Sequence, residues 1–202
     1  MKTEIIQDLL KIDAVQINPV KYFTWTSGVK SPIYCDNRLI MSYPHIRKKI
    51  TKGFVHLMDE KNWQADVIAG CATAGIPHAA WLSDSLDLPM VYVRSKPKSH
   101  GKENQIEGKI SPGEKVLVIE DLISTGGSSI TAANALKGAG ADVVGVLAIF
   151  SYGLRKAQEN FHEADIPFAT LTNFDELVTS LIASGELTED EKADMLHWRH
   201  SL

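Results

Sequence analysis

The residues best suited to chemistry lie between positions 115 and 129. Four apolar residues at 116–119 precede Glu120 and Asp121, and a turn rich in hydroxyls and glycine follows. Adjacent carboxylates can accept hydrogen bonds from vicinal hydroxyls or help to bind a metal ion. Small side chains let backbone N–H groups approach an anion closely. The pattern therefore predicts a site for a phosphorylated sugar.

Common nucleotide-binding motifs do not explain this segment. No Lys-Ser or Lys-Thr follows the glycines, as a Walker motif requires, and the chain contains no G-x-G-x-x-G. An ordinary strand, turn and helix is the alternative, but it does not call for two acids and so many small residues. The small or hydroxyl residues of the turn are Ser124, Thr125, Gly126, Gly127 and Ser128.

A second glycine-rich loop, at residues 70–75, again lies between a predicted strand and a predicted helix. Its backbone amides could bind a second anion, and Thr73 could donate a side-chain hydrogen bond. Close packing could explain these glycines equally well.

A basic segment at residues 94–109 follows another predicted strand. It contains an arginine, several lysines, a histidine and two glycines, with Ile106 as its one apolar residue. A long segment of this kind is typical of a lid or binding loop. Arg94 could clamp phosphate, while Lys98 and His100 on a mobile loop of about 95–109 could close over a leaving polyphosphate. The alternative is a solvated basic loop.

Alternating strand and helix patterns must position these segments. Short apolar runs predict buried strands at 66–70, 90–93, 116–119 and 143–150, and helical patterns fall at 76–86, 129–138 and 154–163. This alternation predicts an α/β fold with a doubly wound, mainly parallel sheet flanked by helices. Ligands bind such sheets outside the carboxyl ends of the strands.

The remaining segments surround that sheet. Helices are predicted at 3–11 and 44–60, two more at 173–200, and short extended pieces at about 15–40 predict a small hood. With 202 residues, the whole chain 1–202 is expected to form a single domain.

Composition narrows the class of function. The formal charge is −4 and the pI about 6.0, which argues against nucleic acid as a partner. No membrane span is indicated, and the N-terminal residues do not form a signal peptide, so a cytoplasmic location is expected. Cys35 and Cys71 match no zinc spacing and are expected to be reduced.

A ribose that carries phosphates at two ends fits all three segments, and phosphoribosyl pyrophosphate is such a molecule. Residues 116–128 resemble the signature of the type I phosphoribosyltransferases. The segments 23–38, 70–79 and 93–101 narrow this resemblance to the orotate phosphoribosyltransferase family. The resemblance implies the type I phosphoribosyltransferase fold and covers most of the chain.

The resemblance also implies roles for particular residues. Arg94, Lys98 and His100 would contact pyrophosphate, and Thr73 would lie in the same substrate site. Lys98, His100 and Asp121 would be catalytic. Glu120 and Asp121 would bind the ribose hydroxyls. The phosphate of phosphoribosyl pyrophosphate would be bound by Leu122, Ile123, Ser124, Thr125, Gly126, Gly127 and Ser128.

Orotate would lie beneath the hood, near Phe23, Lys30, Ser124 and Tyr152. Two positions depart from many bacterial members, which carry Lys where this chain has Thr26 and Arg where it has Tyr152. Lys30 or backbone amides would then have to recognise the orotate carboxylate.

The implied reaction transfers ribose 5-phosphate from phosphoribosyl pyrophosphate to N1 of orotate, a step of pyrimidine biosynthesis. Mg²⁺ is expected as cofactor, bound mainly by the substrate, with no metal-binding side chain assigned. Family members are homodimers, so Lys98 could act on the partner subunit. Two alternatives stay open: a phosphoribosyltransferase for another nucleobase, and a regulator that senses phosphoribosyl pyrophosphate.

Overall fold

The computed structural model of the chain describes residues 2–25, 28–96 and 105–202. Within these ranges the chain forms seven α-helices and ten strands. The helices are α1 (Lys2–Lys11), α2 (Pro44–Lys61), α3 (Gly75–Leu86), α4 (Gly127–Gly138), α5 (Arg155–Glu163), α6 (Phe174–Ser184) and α7 (Glu189–His200). The strands are β1 (Val15–Ile17), β2 (Phe23–Thr24), β3 (Lys30–Ser31), β4 (Ile33–Cys35), β5 (Val67–Cys71), β6 (Met90–Val93), β7 (Ile106–Glu107), β8 (Lys115–Ile123), β9 (Asp142–Ser151) and β10 (Phe168–Asn173).

A six-stranded sheet forms the centre of the fold, in the order β10-β9-β8-β5-β6-β7. All neighbours are parallel except β6 and β7, which pair antiparallel. This arrangement confirms the predicted doubly wound sheet. The strand order reverses between β5 and β8, so a crevice opens at their carboxyl ends.

Two strands of this sheet were not predicted. β10 lies at an edge and mixes threonine with apolar residues, so no apolar run marks it in the sequence. β7 has two residues and lies inside the segment expected to lack regular structure. Ile106 is buried there, because pairing with Val93 places it against the core.

Side chains alternate between the two faces of the sheet and build two apolar cores. Leu117 and Ile119 of β8 belong to a core covered by helices α1, α2, α3, α6 and α7. Val116 and Val118 belong to a second core beneath α4 and α5. Because residues 116–119 of β8 are buried on both faces, all four are apolar.

In the segment predicted as a hood, residues 15–40, the described strands pair with one another and not with the central sheet. The segment contains two antiparallel pairs, β1 with β4 and β2 with β3, followed by a 3-10 helix at Asn37–Ser42. Pairs of two or three residues are marginal alone, so contacts with the rest of the chain must position them.

Candidate active site

Glu120 and Asp121 lie where β8 leaves its neighbour β5. Pairing with β5 ends at Gly70↔Ile119, whereas pairing with β9 continues to Ile123↔Ser151. The apolar run predicts that the strand ends at residue 119, but the unusually long β9 extends it. The two acids therefore lie within β8, on the part of its edge that faces the crevice.

The Glu120 carboxylate is buried and connects the strand to the helix that follows. It accepts hydrogen bonds from Ser128 Oγ at 2.9 Å and Ser129 Oγ at 3.4 Å, and from the Asp121 N–H at 3.1 Å. Burial raises the pKa of Glu120 to about 8, with the charge of Asp121 adding to the effect. Near neutral pH burial therefore favours retention of a proton by the acid pair.

Asp121 is held from the hood side. Asn37 donates from Nδ2 to the Asp121 backbone oxygen at 2.7 Å, and the Asn37 side chain is fully buried. Burial raises the pKa of Asp121, against the opposing effects of its hydrogen bonds and of the Arg38 guanidinium. Asn37 was not identified from the sequence, although a lone amide between Asp36 and Arg38 is the signal that could have found it.

The turn after β8 has the conformation that an anion site needs. Gly126 has φ of 81°, and a Cβ there would lie 2.5 Å from the Phe161 ring, so both backbone and space require glycine. Helix α4 begins at Gly127, two residues before the predicted start. Its first N–H groups therefore face the crevice, where the helix dipole favours negative charge.

The residues of the predicted phosphate turn do not all present side chains to a ligand. Ile123 is completely buried in the second core, so only its backbone can contribute. Leu122 packs against the first core. Ser124 is half-buried and Thr125 is exposed, and the Thr125 backbone oxygen accepts a hydrogen bond from Asn160 Nδ2 at 2.9 Å.

The loop after β5 lies directly against β8. A Cβ at Gly75 would come within 2.3 Å of the Ile119 oxygen, and one at Gly70 within 2.9 Å of the Ile76 Cα. Close packing is thus sufficient to explain both glycines, which was the alternative to an anion-binding role. The loop does bring Thr73, whose side chain is exposed, to the same end of the sheet as the acids.

A cavity of about 140 Å³ joins three of the predicted segments. Arg94 approaches it from the end of β6, where its Nη1 lies 3.3 Å from Glu107 Oε1. This ion pair is partly buried, with 41% of the Arg94 side chain and 25% of the Glu107 side chain exposed. The cavity is lined by Cys71, Ala72, Val93, Arg94, Ser95, Gly127, Ser128, Thr131 and Ala132.

Three of the predicted base-binding residues, Phe23, Lys30 and Tyr152, contact residues of the hood. Lys30 Nζ donates to Thr24 Oγ1 at 2.6 Å, and the Phe23 ring lies 5.9 Å from the Tyr34 ring. Tyr152 follows β9; its ring is buried and stacks on Trp25 at 4.6 Å. Burial raises the pKa of its phenol, so Tyr152 is neutral and cannot replace a cation.

Three predicted residues, Thr26, Lys98 and His100, lie outside the described ranges. The described residues on either side of the latter two are joined, because Arg94 N–H donates to the Gln105 oxygen at 2.9 Å and Gln105 Nε2 donates to the Arg94 oxygen at 2.8 Å. The antiparallel pairing of β6 with β7 continues directly from these hydrogen bonds.

The donor set limits what metal the site could bind. Across residues 2–25, 28–96 and 105–202, no three His, Cys, Asp or Glu side chains converge as a metal site. Two carboxylates do lie side by side at the crevice, and Mg²⁺ is often bound by one or two carboxylates together with substrate oxygens. The residues present therefore fit Mg²⁺ that is bound mainly by a phosphorylated substrate.

Among the helices of residues 2–25, 28–96 and 105–202, none has the length and apolar character to cross a membrane.

Comparison with known proteins gives a consistent result. Residues 40–173 match the sequence model of the phosphoribosyl transferase domain. The chain is 61% identical, over all 202 residues of both proteins, to an orotate phosphoribosyltransferase from Oceanobacillus iheyensis. A crystal structure of orotate phosphoribosyltransferase from Aeropyrum pernix superposes with a TM-score of 0.78 at 26% identity, covering 91% of this chain and 99% of that one. UMP synthase from Leishmania donovani gives a TM-score of 0.81 at 26% identity, covering 99% of this chain and 42% of that longer chain.

Proposed function

The chain belongs to the phosphoribosyltransferase family and within it to the orotate phosphoribosyltransferases, and from this membership we propose that the crevice between β5 and β8 is its active site. The enzyme transfers ribose 5-phosphate from phosphoribosyl pyrophosphate to N1 of orotate, giving orotidine 5′-phosphate and pyrophosphate for pyrimidine biosynthesis. The observation that carries the assignment is the 61% identity over the full length. The acids and the phosphate turn at one edge of the sheet agree with it.

We propose that the ribose 5-phosphate binds at the turn formed by residues 122–128. The first N–H groups of α4, the left-handed Gly126 and the hydroxyls of Ser124 and Thr125 support this role. Glu120 and Asp121, which directly precede the turn in β8, would accept hydrogen bonds from the ribose hydroxyls. Ionisation of the pair strengthens these bonds, because a carboxylate accepts more strongly than a neutral acid.

The pyrophosphate would occupy the cavity beside Arg94. Breaking the bond at the anomeric carbon leaves an oxocarbenium-like ribose and places charge on the leaving pyrophosphate, so catalysis depends on cations more than on a nucleophile. Bound Mg²⁺ would supply Lewis-acid neutralisation of that charge. Arg94 would bind the pyrophosphate once it exchanges its Glu107 partner, while Lys98 and His100 would approach from the 95–109 loop. Closure of that loop would exclude the water that could hydrolyse the activated ribose.

Orotate would bind between the hood and Ser124, with Phe23, Lys30 and Tyr152 around it. Of these residues Lys30 carries a positive charge, and its Nζ is held by the hydrogen bond to Thr24 Oγ1. We propose Lys30 and main-chain amides as the partners of the orotate carboxylate, because Tyr152 is neutral.

A single domain spanning 1–202 is supported by the first core, which includes residues from Ile5 to Trp198.

We also propose a homodimer in which Lys98 acts on the partner's site. Three large apolar side chains at the end of the hood and just after it are exposed and would suit burial against a second copy: Leu39, Met41 and Tyr43. A cytoplasmic location is supported by the free thiols of Cys35 and Cys71.

The reaction is tested by following orotate absorbance after mixing the protein with orotate, phosphoribosyl pyrophosphate and Mg²⁺. We expect loss of orotate with release of pyrophosphate, and no loss when the metal is chelated. A panel with uracil and purine bases tests the choice of base. Turnover of another base, but not of orotate, would refute the assignment.

The active-site location is tested by Asp121→Asn, with Asp142→Asn as a matched control because Asp142 is exposed at the far end of β9. We expect a large loss of kcat/KM in the first variant only.

Mixing Lys98→Ala with Asp121→Asn subunits tests action across the dimer. If Lys98 acts in trans, half of the dimers are hybrids with one complete site each, and about a quarter of the parent activity returns. Action within one subunit would restore none.

A further inference from the structure

The matched domain spans residues 40–173, and the described parts of the chain before and after it contact each other. Trp198 of helix α7 donates from its indole Nε1 to the Lys30 backbone oxygen in β3 at 2.7 Å. The residues are 168 positions apart, and Trp198 is 7% exposed. A buried indole N–H requires an acceptor. The hydrogen bond gives the Trp198 N–H its acceptor and also holds the backbone of β3 in place.

The contact continues from Trp198 toward the predicted base site. The Trp198 ring meets the Trp25 ring edge-on at 5.8 Å, and Trp25 stacks on Tyr152 at 4.6 Å. Trp25 also donates from Nε1 to the Ile33 oxygen at 3.0 Å. Tyr152 is joined to the end of β8, since its N–H donates to the Ile123 oxygen at 3.1 Å. Three contacting rings therefore connect α7 to the strand that carries the acids.

Helix α7 is firmly held and can act as a fixed support. Thr188 and Glu191 form a reciprocal capping box at its start. Met195 is completely buried in the first core, and Arg199 near the helix end pairs with Asp175 at 2.6 Å. By contrast, β2 and β3 have two residues each, too few to hold their position without outside contacts.

We propose that Trp198 is a positioning residue for orotate. By holding the Lys30 backbone and the Trp25 ring, it sets the height of the hood above the base and the location of the Lys30 ammonium. This inference rests on the proposed binding of orotate beneath the hood. It assigns base recognition to the contact between the hood and α7, whereas the phosphates are bound by loops of the matched domain.

The test compares Trp198→Phe, which keeps an aromatic ring but loses the N–H, with Trp198→Ala, which loses both. Met195→Ala is the matched control, because Met195 is buried on the same helix without taking part in the hood hydrogen bond. Each variant is assayed for thermal unfolding, orotate KM, kcat and the Kd of phosphoribosyl pyrophosphate with Mg²⁺. Hydrogen exchange of residues 23–31 reports hood opening without any substrate.

For Trp198→Phe we expect orotate KM to rise roughly threefold to tenfold, as loss of one hydrogen bond predicts, with the Kd of phosphoribosyl pyrophosphate within about twofold. Exchange in the hood should become faster. Trp198→Ala should raise orotate KM further. Met195→Ala should lower the thermal midpoint while leaving orotate KM within about twofold of the parent.

An unchanged orotate KM in Trp198→Phe would overturn the inference, and so would an equal rise in Met195→Ala or a parallel loss of phosphoribosyl pyrophosphate affinity. These results concern the variants alone. Failure of the proposed function has a different signature, because the unmodified protein would then bind phosphoribosyl pyrophosphate without consuming orotate.

Discussion

Replacing Glu120 with glutamine should change how activity depends on pH. Glu120 is buried and its pKa is raised to about 8 by burial and by the charge of Asp121. If the ionised pair binds the ribose hydroxyls, the protein is only partly in its binding form near neutral pH. The amide introduced by Glu120→Gln keeps nearly the same shape and can accept from the hydroxyl of Ser128, but it cannot ionise.

The size of the effect follows from that pKa. About a tenth of the Glu120 carboxyls are ionised near pH 7 and about nine-tenths near pH 9, so kcat/KM for phosphoribosyl pyrophosphate should rise roughly tenfold between them. The Glu120→Gln variant should lack this rise. At high pH it should be slower by roughly tenfold to a hundredfold, because hydrogen bonds to a charged group contribute about 1.5–3 kcal/mol.

The assay is the decrease in orotate absorbance at saturating Mg²⁺, with phosphoribosyl pyrophosphate well below its KM. The substrate phosphates titrate as well, but identically with both proteins, so the ratio of variant to parent isolates Glu120. Glu159→Gln serves as control because Glu159 is an exposed helix residue with an i,i+4 partner, Arg155. A ratio that is constant from about pH 6 to pH 9 would refute the reasoning.

Stability provides a second measurement of the same group. Because the pKa of Glu120 in the folded protein lies above its ordinary value of 4.5, the unfolded chain releases this proton first as pH rises. The folded state must therefore lose stability between about pH 4.5 and pH 8, by at most about 5 kcal/mol. Glu120→Gln should not show this loss, because the amide does not titrate. The thermal midpoint of the variant minus that of the parent should therefore increase as pH rises through this window.

Three further predictions concern the turn after β8, the hydrogen bond from Asn37 to the Asp121 backbone, and the basic loop. Gly126→Ala should lower the free energy of unfolding by about 1–3 kcal/mol in chemical denaturation, because φ is 81° and the ring beneath leaves no room; Gly138→Ala, with nothing within 4 Å, should not destabilise. Asn37→Ala should destabilise by about 1–3 kcal/mol and reduce kcat/KM, since it removes the donor to the Asp121 backbone; unchanged kinetics would contradict a positioning role. Lys98→Ala should lower kcat by roughly thirtyfold to a thousandfold, or about 2–4 kcal/mol, and leave substrate binding nearly intact; a change in KM alone would oppose its catalytic role.

Local patterns were sufficient to predict much of the fold. A continuous apolar run indicates a strand buried on both faces, and β8 is such a strand between two cores. The Pro at the start of α2 and the glycines after β8 likewise mark local conformations that few other residues allow. Backbone conformation and burial period are properties of neighbouring residues, so they can be read without knowing the rest of the molecule.

Elements whose stability comes from distant partners were missed. β7 is only two residues long and pairs antiparallel with the predicted strand β6, and β10 at the sheet edge has no apolar run of its own. The extension of β8 past residue 119 also depends on a neighbour, because β9 continues to pair with it.

The sequence by itself determined which chemical groups are available: the acid pair, the turn of small and hydroxyl residues after it, and the basic segment. Only the tertiary structure decided how they meet. It placed Arg94 and Gly127 around one cavity, buried Glu120 so that its pKa rises, and brought Trp198 to the Lys30 backbone. The physical reason is that hydrogen bonding, burial and charge depend on distances in space, and residues far apart along the chain leave no shared periodic pattern in it.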